Sequence, residues 1–173
     1  FTPQIIEQMR VQTETAAYQL LDRATANGRS FDLIADYGLP LPAVVIGRIL
    51  GVPERDNAKF QRWTQSFVTM GTGGVMLFKL AAVVQLMRYL RKTIQQRARE
   101  PQHDLISAMV QARENDDRLS EDEILAMTFL LLSAGLETTV NLIGSGTLAL
   151  LEHPDQWQKL RADPSLMKTG VEE

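Results

Sequence analysis

Cysteine is absent from the 173 residues, which excludes any disulfide and any thiolate-ligated metal site within them. Histidine occurs only twice. His103 and His153 sit beside Asp104 and Pro154 at predicted helix starts, with no second ligand at metal spacing, so no metal site is expected. The glycine-rich break Gly71-Thr72-Gly73-Gly74 lacks the spacing of a phosphate loop, and no Lys-Ser/Thr follows it. No stretch alternates with period two, which points away from strands and to an all-α chain. Neither sign of charge dominates: the formal net charge is −3 and the pI about 5.5, so neither nucleic acid nor an anionic membrane is an expected partner. The chain opens without a secretion signal, and the expected location is cytoplasmic.

What is present suits one globular domain: 45% of residues are hydrophobic and 23% charged. Apolar residues at three- and four-residue spacing predict a helix over 3–26, closed by the turn residues Asn27, Gly28 and Ser30. Residues 31–37 read as a short helix or an extended linker. A second helix is expected over 41–50, and Pro53 opens a third that carries Phe60, Trp63, Phe67 and Val68. Residues 75–100 form a long helix, apolar first and basic later, and 104–113 a shorter one. The basic positions Arg88, Arg91, Lys92, Arg97 and Arg99 read as a solvated face, with a docking patch as the sharper alternative.

The rest is organised around 120–152. Ser120 followed by Glu123 is a capping box, Glu121 and Asp122 suit the positive helix end, and Pro154 closes the run. Between Glu123 and Leu151 the only charged side chain is Glu137, so the helix is expected in a core or a bilayer. A central Glu137, costing about 2.5–3.5 kcal/mol on insertion scales, argues against the bilayer, as does the lack of flanking Lys or Arg. Ser133, Glu137, Asn141 and Ser145 advance by about 40° each and form a polar seam, joined by Thr138. Thr138 can bond back to the carbonyl of Ala134, and Gly135 eases distortion. The seam is therefore expected to be a local opening in a buried helix.

The hexad Ala134-Gly135-Leu136-Glu137-Thr138-Thr139 resembles the (Ala/Gly)-Gly-x-(Asp/Glu)-Thr signature on the long distal helix of the cytochromes P-450, the haem-thiolate monooxygenases. The likeness extends along the chain. It takes in Phe1-Thr2-Pro3, Leu50-Gly51-Val52-Pro53, the run from Asp104 to Val110, Leu151-Glu152-His153-Pro154-Asp155 and Leu160-Arg161-Ala162-Asp163-Pro164. The resemblance implies an all-α part of that fold, with 1–173 as one partial domain and 120–152 as its central helix.

It also implies a b-type haem, with Ala134, Gly135, Thr138 and Thr139 against the porphyrin. Thr138 and Glu137 would be the catalytic pair, Thr138 at the bound dioxygen and Glu137 relaying protons from solvent. Leu130, Ser133 and Ala134 would border a small hydrophobic organic substrate. A ferredoxin-type or flavoprotein electron donor is implied as partner. The family's axial Cys lies in later sequence, so these residues alone are not expected to be an active enzyme. Thr169 with Glu172 repeats the capping-box pattern and predicts a helix that begins where the residues end. In the resemblance, Glu172 or Glu173 would begin the Glu-x-x-Arg motif. Two other readings stand beside this one: a non-catalytic all-α ligand-binding module with a buried apolar pocket, and a membrane-embedded helical protein.

Overall fold

The structure is a computed structural model, and it describes residues 3–26, 28, 30–71, 75–112 and 119–172. Every regular element among them is helical. Helix α1 (Pro3–Thr25) is followed by a single π-helical turn over Leu33–Gly38, which settles the open reading of 31–37. Asp32 starts that turn: its carboxylate accepts the backbone N–H groups of Ile34 and Ala35, each at 2.9 Å, while the Asp36 carboxylate accepts from Asp32 N at 3.0 Å. Two aspartates thus satisfy donors that the first turn leaves unpaired.

Pro40 then opens α2 (Pro40–Ile49), where a missing N–H costs nothing. Pro53 does not begin the third helix directly. It caps a short 3-10 turn, Glu54–Asp56, and α3 proper is Asn57–Val68. Helices α4 (Met76–Arg99), α5 (Leu105–Ala112) and α6 (Glu121–Glu152) follow, then α7 (Pro154–Ala162), a 3-10 turn Pro164–Leu166 and α8 (Met167–Gly170). Thr169 lies inside α8, so the capping box expected there is not formed; Glu173 lies outside the described residues.

The core is where α2, α3, α4, α5 and α6 converge. Leu50, Phe60, Leu86, Leu90, Ile94, Ile106, Ile124, Leu132 and Leu136 are sealed from solvent there. Each such side chain contributes about 1.5–3 kcal/mol by leaving water. Aromatic pairs tie α3 into it: Trp63 lies 5.5 Å from Tyr89 of α4, and Phe67 meets Phe129 of α6 edge-on at 5.1 Å. Burial together with the neighbouring Asp56 carboxylate, which accepts the Tyr89 hydroxyl, pushes that phenol up to about 12.

One of the five basic positions expected to be solvated is not. Arg97 is 2% exposed, and its Nε meets Asp104 Oδ2 at 2.5 Å while Nη2 donates to Gly51 O at 3.0 Å. The other Asp104 oxygen accepts from Ser107 N at 2.7 Å and so caps α5. Gly51 has φ +73, and an added Cβ would fall 2.1 Å from Asp104 Oδ2. One guanidinium therefore joins the end of α2, the end of α4 and the start of α5. Charges this deep persist only when paired and hydrogen-bonded on every side.

The start of α6 is built as the sequence predicts. Ser120 Oγ accepts from Glu123 N at 3.2 Å and Glu123 Oε2 accepts from Ser120 N at 2.6 Å. These bonds hold the Glu123 carboxyl below the usual range. Arg91 of α4 adds ion pairs to Asp122 at 2.8 Å and Glu121 at 3.7 Å.

Two expectations for α6 are corrected. First, the helix is unbroken from Glu121 to Glu152, with no local opening at Thr138. Second, it is not buried all round. Ile124, Leu125, Thr128, Leu132, Leu136 and Val140 form one buried stripe, whereas Met127, Leu130, Leu131, Leu142, Leu148 and Leu151 are exposed. The expected burial presumed neighbours on every side, and the described residues supply them on one.

Candidate functional site: the open face of the long helix

At about 100° per residue, Met127, Leu130, Ala134, Glu137, Thr138, Asn141 and Leu148 lie on one side of α6, opposite the buried stripe. All are exposed among the described residues. The structure thus brings Leu130, Ala134, Glu137 and Thr138 onto a common ledge. Ser133, Gly135 and Thr139 are half-buried on its flanks.

Thr138 Oγ1 donates to the Ala134 carbonyl at 2.6 Å, the back-bond expected from the sequence. With its proton committed to the helix, the hydroxyl oxygen keeps its lone pairs for a donor arriving from outside. Ser133 donates likewise to Leu130 O, at 3.0 Å. Both bonds are compatible with straight α-helix, which is why the seam does not open it. Glu137 projects into solvent, where a carboxylate keeps its hydration and needs no partner.

Gly135 has a packing role that the sequence does not show. A Cβ there would lie 2.9 Å from Ile46 Cδ1 of α2, so the glycine lets α2 and α6 approach. Its missing side chain points toward α2 rather than along the ledge. Sequence reasoning also missed the ledge's extent. The signal was present: a helix apolar on every face with only one face packed leaves the other for something else.

What the ledge could hold follows from its surface. Ala134 leaves a low place between larger apolar side chains, with a hydroxyl and a carboxylate one residue apart beside it. A flat apolar ring fits such a surface, and the hydroxyl stands where a polar atom on that ring could be met. The chain has no cysteine, and no cluster of three or more His, Asp or Glu suited to an ion occurs among the described residues. A separate cleft of about 630 Å³ lies between α1, α2 and α5, bordered by Gln12, Arg48, Gln102, His103, Asp104 and Ala108. Arg48 there donates to Gln12 O at 2.7 Å and is spoken for.

By length and apolar composition alone, α6 could cross a membrane, with about a third of its most apolar stretch buried. A half-packed core helix satisfies the same criteria.

The structure is thus an all-helical scaffold built about one long helix, whose open face carries a Thr and a Glu among apolar side chains. The chain belongs to the cytochrome P450 family, whose pattern it matches across residues 76–165. It is 43% identical over 173 residues to the polyketide biosynthesis cytochrome P450 PksS of Bacillus subtilis, spanning 100% of this chain and 42% of that protein. The 6-deoxyerythronolide B hydroxylase of Saccharopolyspora erythraea is 37% identical over 174 residues, covering 100% of this chain and 43% of that protein. Among solved structures, P450 MoxA from Nonomuraea recticatena superposes with a TM-score of 0.90 at 31% identity, over 99% of this chain and 42% of that one. The chain therefore spans less than half the length of the relatives it matches. The all-α fold and the family expected from the hexad are both found.

Proposed function

We propose that residues 1–173 are one partial domain of a haem-dependent monooxygenase, which activates dioxygen and inserts one oxygen atom into a small hydrophobic organic substrate. The observation that carries this is the Ala134–Thr138 ledge on α6, in a chain with the family's sequence and fold. A b-type haem held against the ledge would supply the oxygen chemistry, with its Cys ligand coming from outside these residues.

The chain's own residues then have distinct tasks. Ala134 keeps the surface low enough for a flat ring to approach, with Gly135 and Thr139 on the flank. Leu130 and Ser133 border the substrate and exclude water from one side. Thr138, its proton held by Ala134 O, accepts a hydrogen bond from a water and fixes it beside the reacting oxygen. Glu137, in solvent, takes up protons and passes them toward that water; placement sets the rate of such transfer more than acidity does. Electrons come from a ferredoxin-type or flavoprotein donor, and the enzyme works in the cytoplasm. The alternative of a non-catalytic ligand-binding module has no support from the relatives, which are P450 proteins.

The test is Thr138→Ala in the full-length protein. NAD(P)H consumption should continue while product falls and hydrogen peroxide rises in its place, by about tenfold in their ratio. Unchanged coupling of NAD(P)H to product would remove Thr138 from this role. The absorption spectrum separates the larger claim: a protein with no Soret band, or none of thiolate type with carbon monoxide after reduction, is not a haem-thiolate enzyme.

A further inference from the structure

Between Asp56 and Glu100 the chain contains no aspartate or glutamate, yet it contains eight lysines and arginines. With a net charge of −3 overall, that leaves −11 for the remainder. Most of this acid-free stretch forms the two helices α3 and α4, which pack against each other. Hydrogen bonds from Tyr89 to Asp56 and from Trp63 to Gln85 set them antiparallel, so their outer faces adjoin.

Part of this charge is used internally. Arg97 is buried against Asp104, Arg91 meets Glu121 and Asp122, and Lys59 meets Asp56 at 3.5 Å. Arg62, Arg88, Lys92 and Arg99 remain exposed, and none forms an ion pair among the described residues. On α4, Arg88, Lys92 and Arg99 are four and seven residues apart, which puts them on one line about 16 Å long.

Self-repulsion along such a line is a cost that an acid within these helices would relieve, and residues 57–99 supply none. We propose that the outer surface of α3 and α4 docks an acidic protein, through carboxylates spaced at successive turns of one of its helices. Charge complementarity selects this occupant. Arg88, Lys92 and Arg99 offer bonds at helical spacing, with Arg62 on the neighbouring helix, while the strongly acidic remainder of the chain repels an extended polyanion. The surface is distinct from the α6 ledge, so the proposal stands or falls apart from the proposed chemistry.

The experiment uses the full-length protein and a fluorescent helical peptide with glutamates at three- and four-residue spacing. Anisotropy at low salt should show binding that weakens as salt rises. Arg88→Glu combined with Lys92→Glu should weaken it at least about tenfold, whereas Lys159→Glu with Arg161→Glu on α7 should leave it within about twofold. The charge-reversed peptide, lysine for glutamate, should bind the Arg88→Glu, Lys92→Glu protein better than the unaltered one, which shows the variant folded. Equal losses in both double variants, or no binding at low salt, overturns the proposal. So does stronger binding to phosphatidylglycerol vesicles or duplex DNA at equal charge, lost in the same variant, since the surface then serves a different polyanion.

Discussion

Gly135 lies within the hexad that carries the family likeness, yet its nearest constraint is the Ile46 methyl on α2. Two effects oppose each other on Gly135→Ala. Helix propensity favours alanine by about 1 kcal/mol, and the crowded methyl resists it by a similar amount. The blocking atom is the end of a flexible side chain, so the substitution should change stability by less than about 1 kcal/mol. With Ile46→Val added to make room, Gly135→Ala should become stabilising, as urea denaturation of the paired variants would reveal. Gly51 differs because backbone and carboxylate both forbid a side chain. Gly51→Ala should cost at least about 1–2 kcal/mol from its positive φ alone, with further loss as Asp104 is displaced from Arg97. In the clasp itself, Arg97→Ala should cost about 3–5 kcal/mol, because it strands a buried carboxylate. Arg97→Met with Asp104→Asn, which keeps the oxygen that accepts from Ser107 N, should recover part of that loss in the same urea titration.

At the scale of elements, the start of α6 was legible in the sequence because a capping box is local: Ser120 and Glu123 need only each other. Ser120→Ala should lower stability by about 1 kcal/mol. The pH dependence follows from Glu123, whose carboxyl is held below its ordinary value by the Ser120 bonds. A depressed carboxyl contributes stability above its unfolded value of 4.5, and that contribution disappears as pH falls through the folded value. The acid limb of a pH–stability curve should therefore flatten in Ser120→Ala. At the alkaline end the raised Tyr89 phenol has the complementary effect. Its contribution is complete below 10 and lost as pH climbs towards about 12, so Tyr89→Phe should remove that loss. The π-helical turn over Leu33–Gly38 was not legible as such, because the two aspartates that build it could equally cap an ordinary helix or a turn. The burial of Arg97 was invisible as well. It depends on Asp104 and Gly51, and nothing in a run of basic residues singles out the one that turns inward.

For the molecule as a whole, the hydropathy of α6 gave the right element and the wrong surroundings. An apolar stripe on each side predicts two packed faces, and the structure packs only one. Which face would be covered depended on α2, α4 and α5 arriving on the side of Leu132 and Leu136, which no local pattern encodes. That Leu130, Ala134, Glu137 and Thr138 share a side of one helix was legible in the sequence, because helical spacing alone sets it. The flanking members of the candidate site, Gly135 and Thr139, could not be sorted from them without knowing where α2 sits. An open ledge of this size also has a solution consequence. Residues 1–173 taken alone should self-associate and brighten a hydrophobic dye, and Leu131→Glu with Leu148→Glu should reduce both, by light scattering and fluorescence.

Because α6 runs unbroken, it works as a screw thread: position along it and orientation about it are locked together. Removing one residue between Thr128 and Leu132 would swing everything beyond by about 100°. Thr138 would turn away from the ledge while the anchored end at Ser120 stayed in place. Losing four residues would rotate the far end by only about 40°, so a larger deletion would do less angular damage than a smaller one.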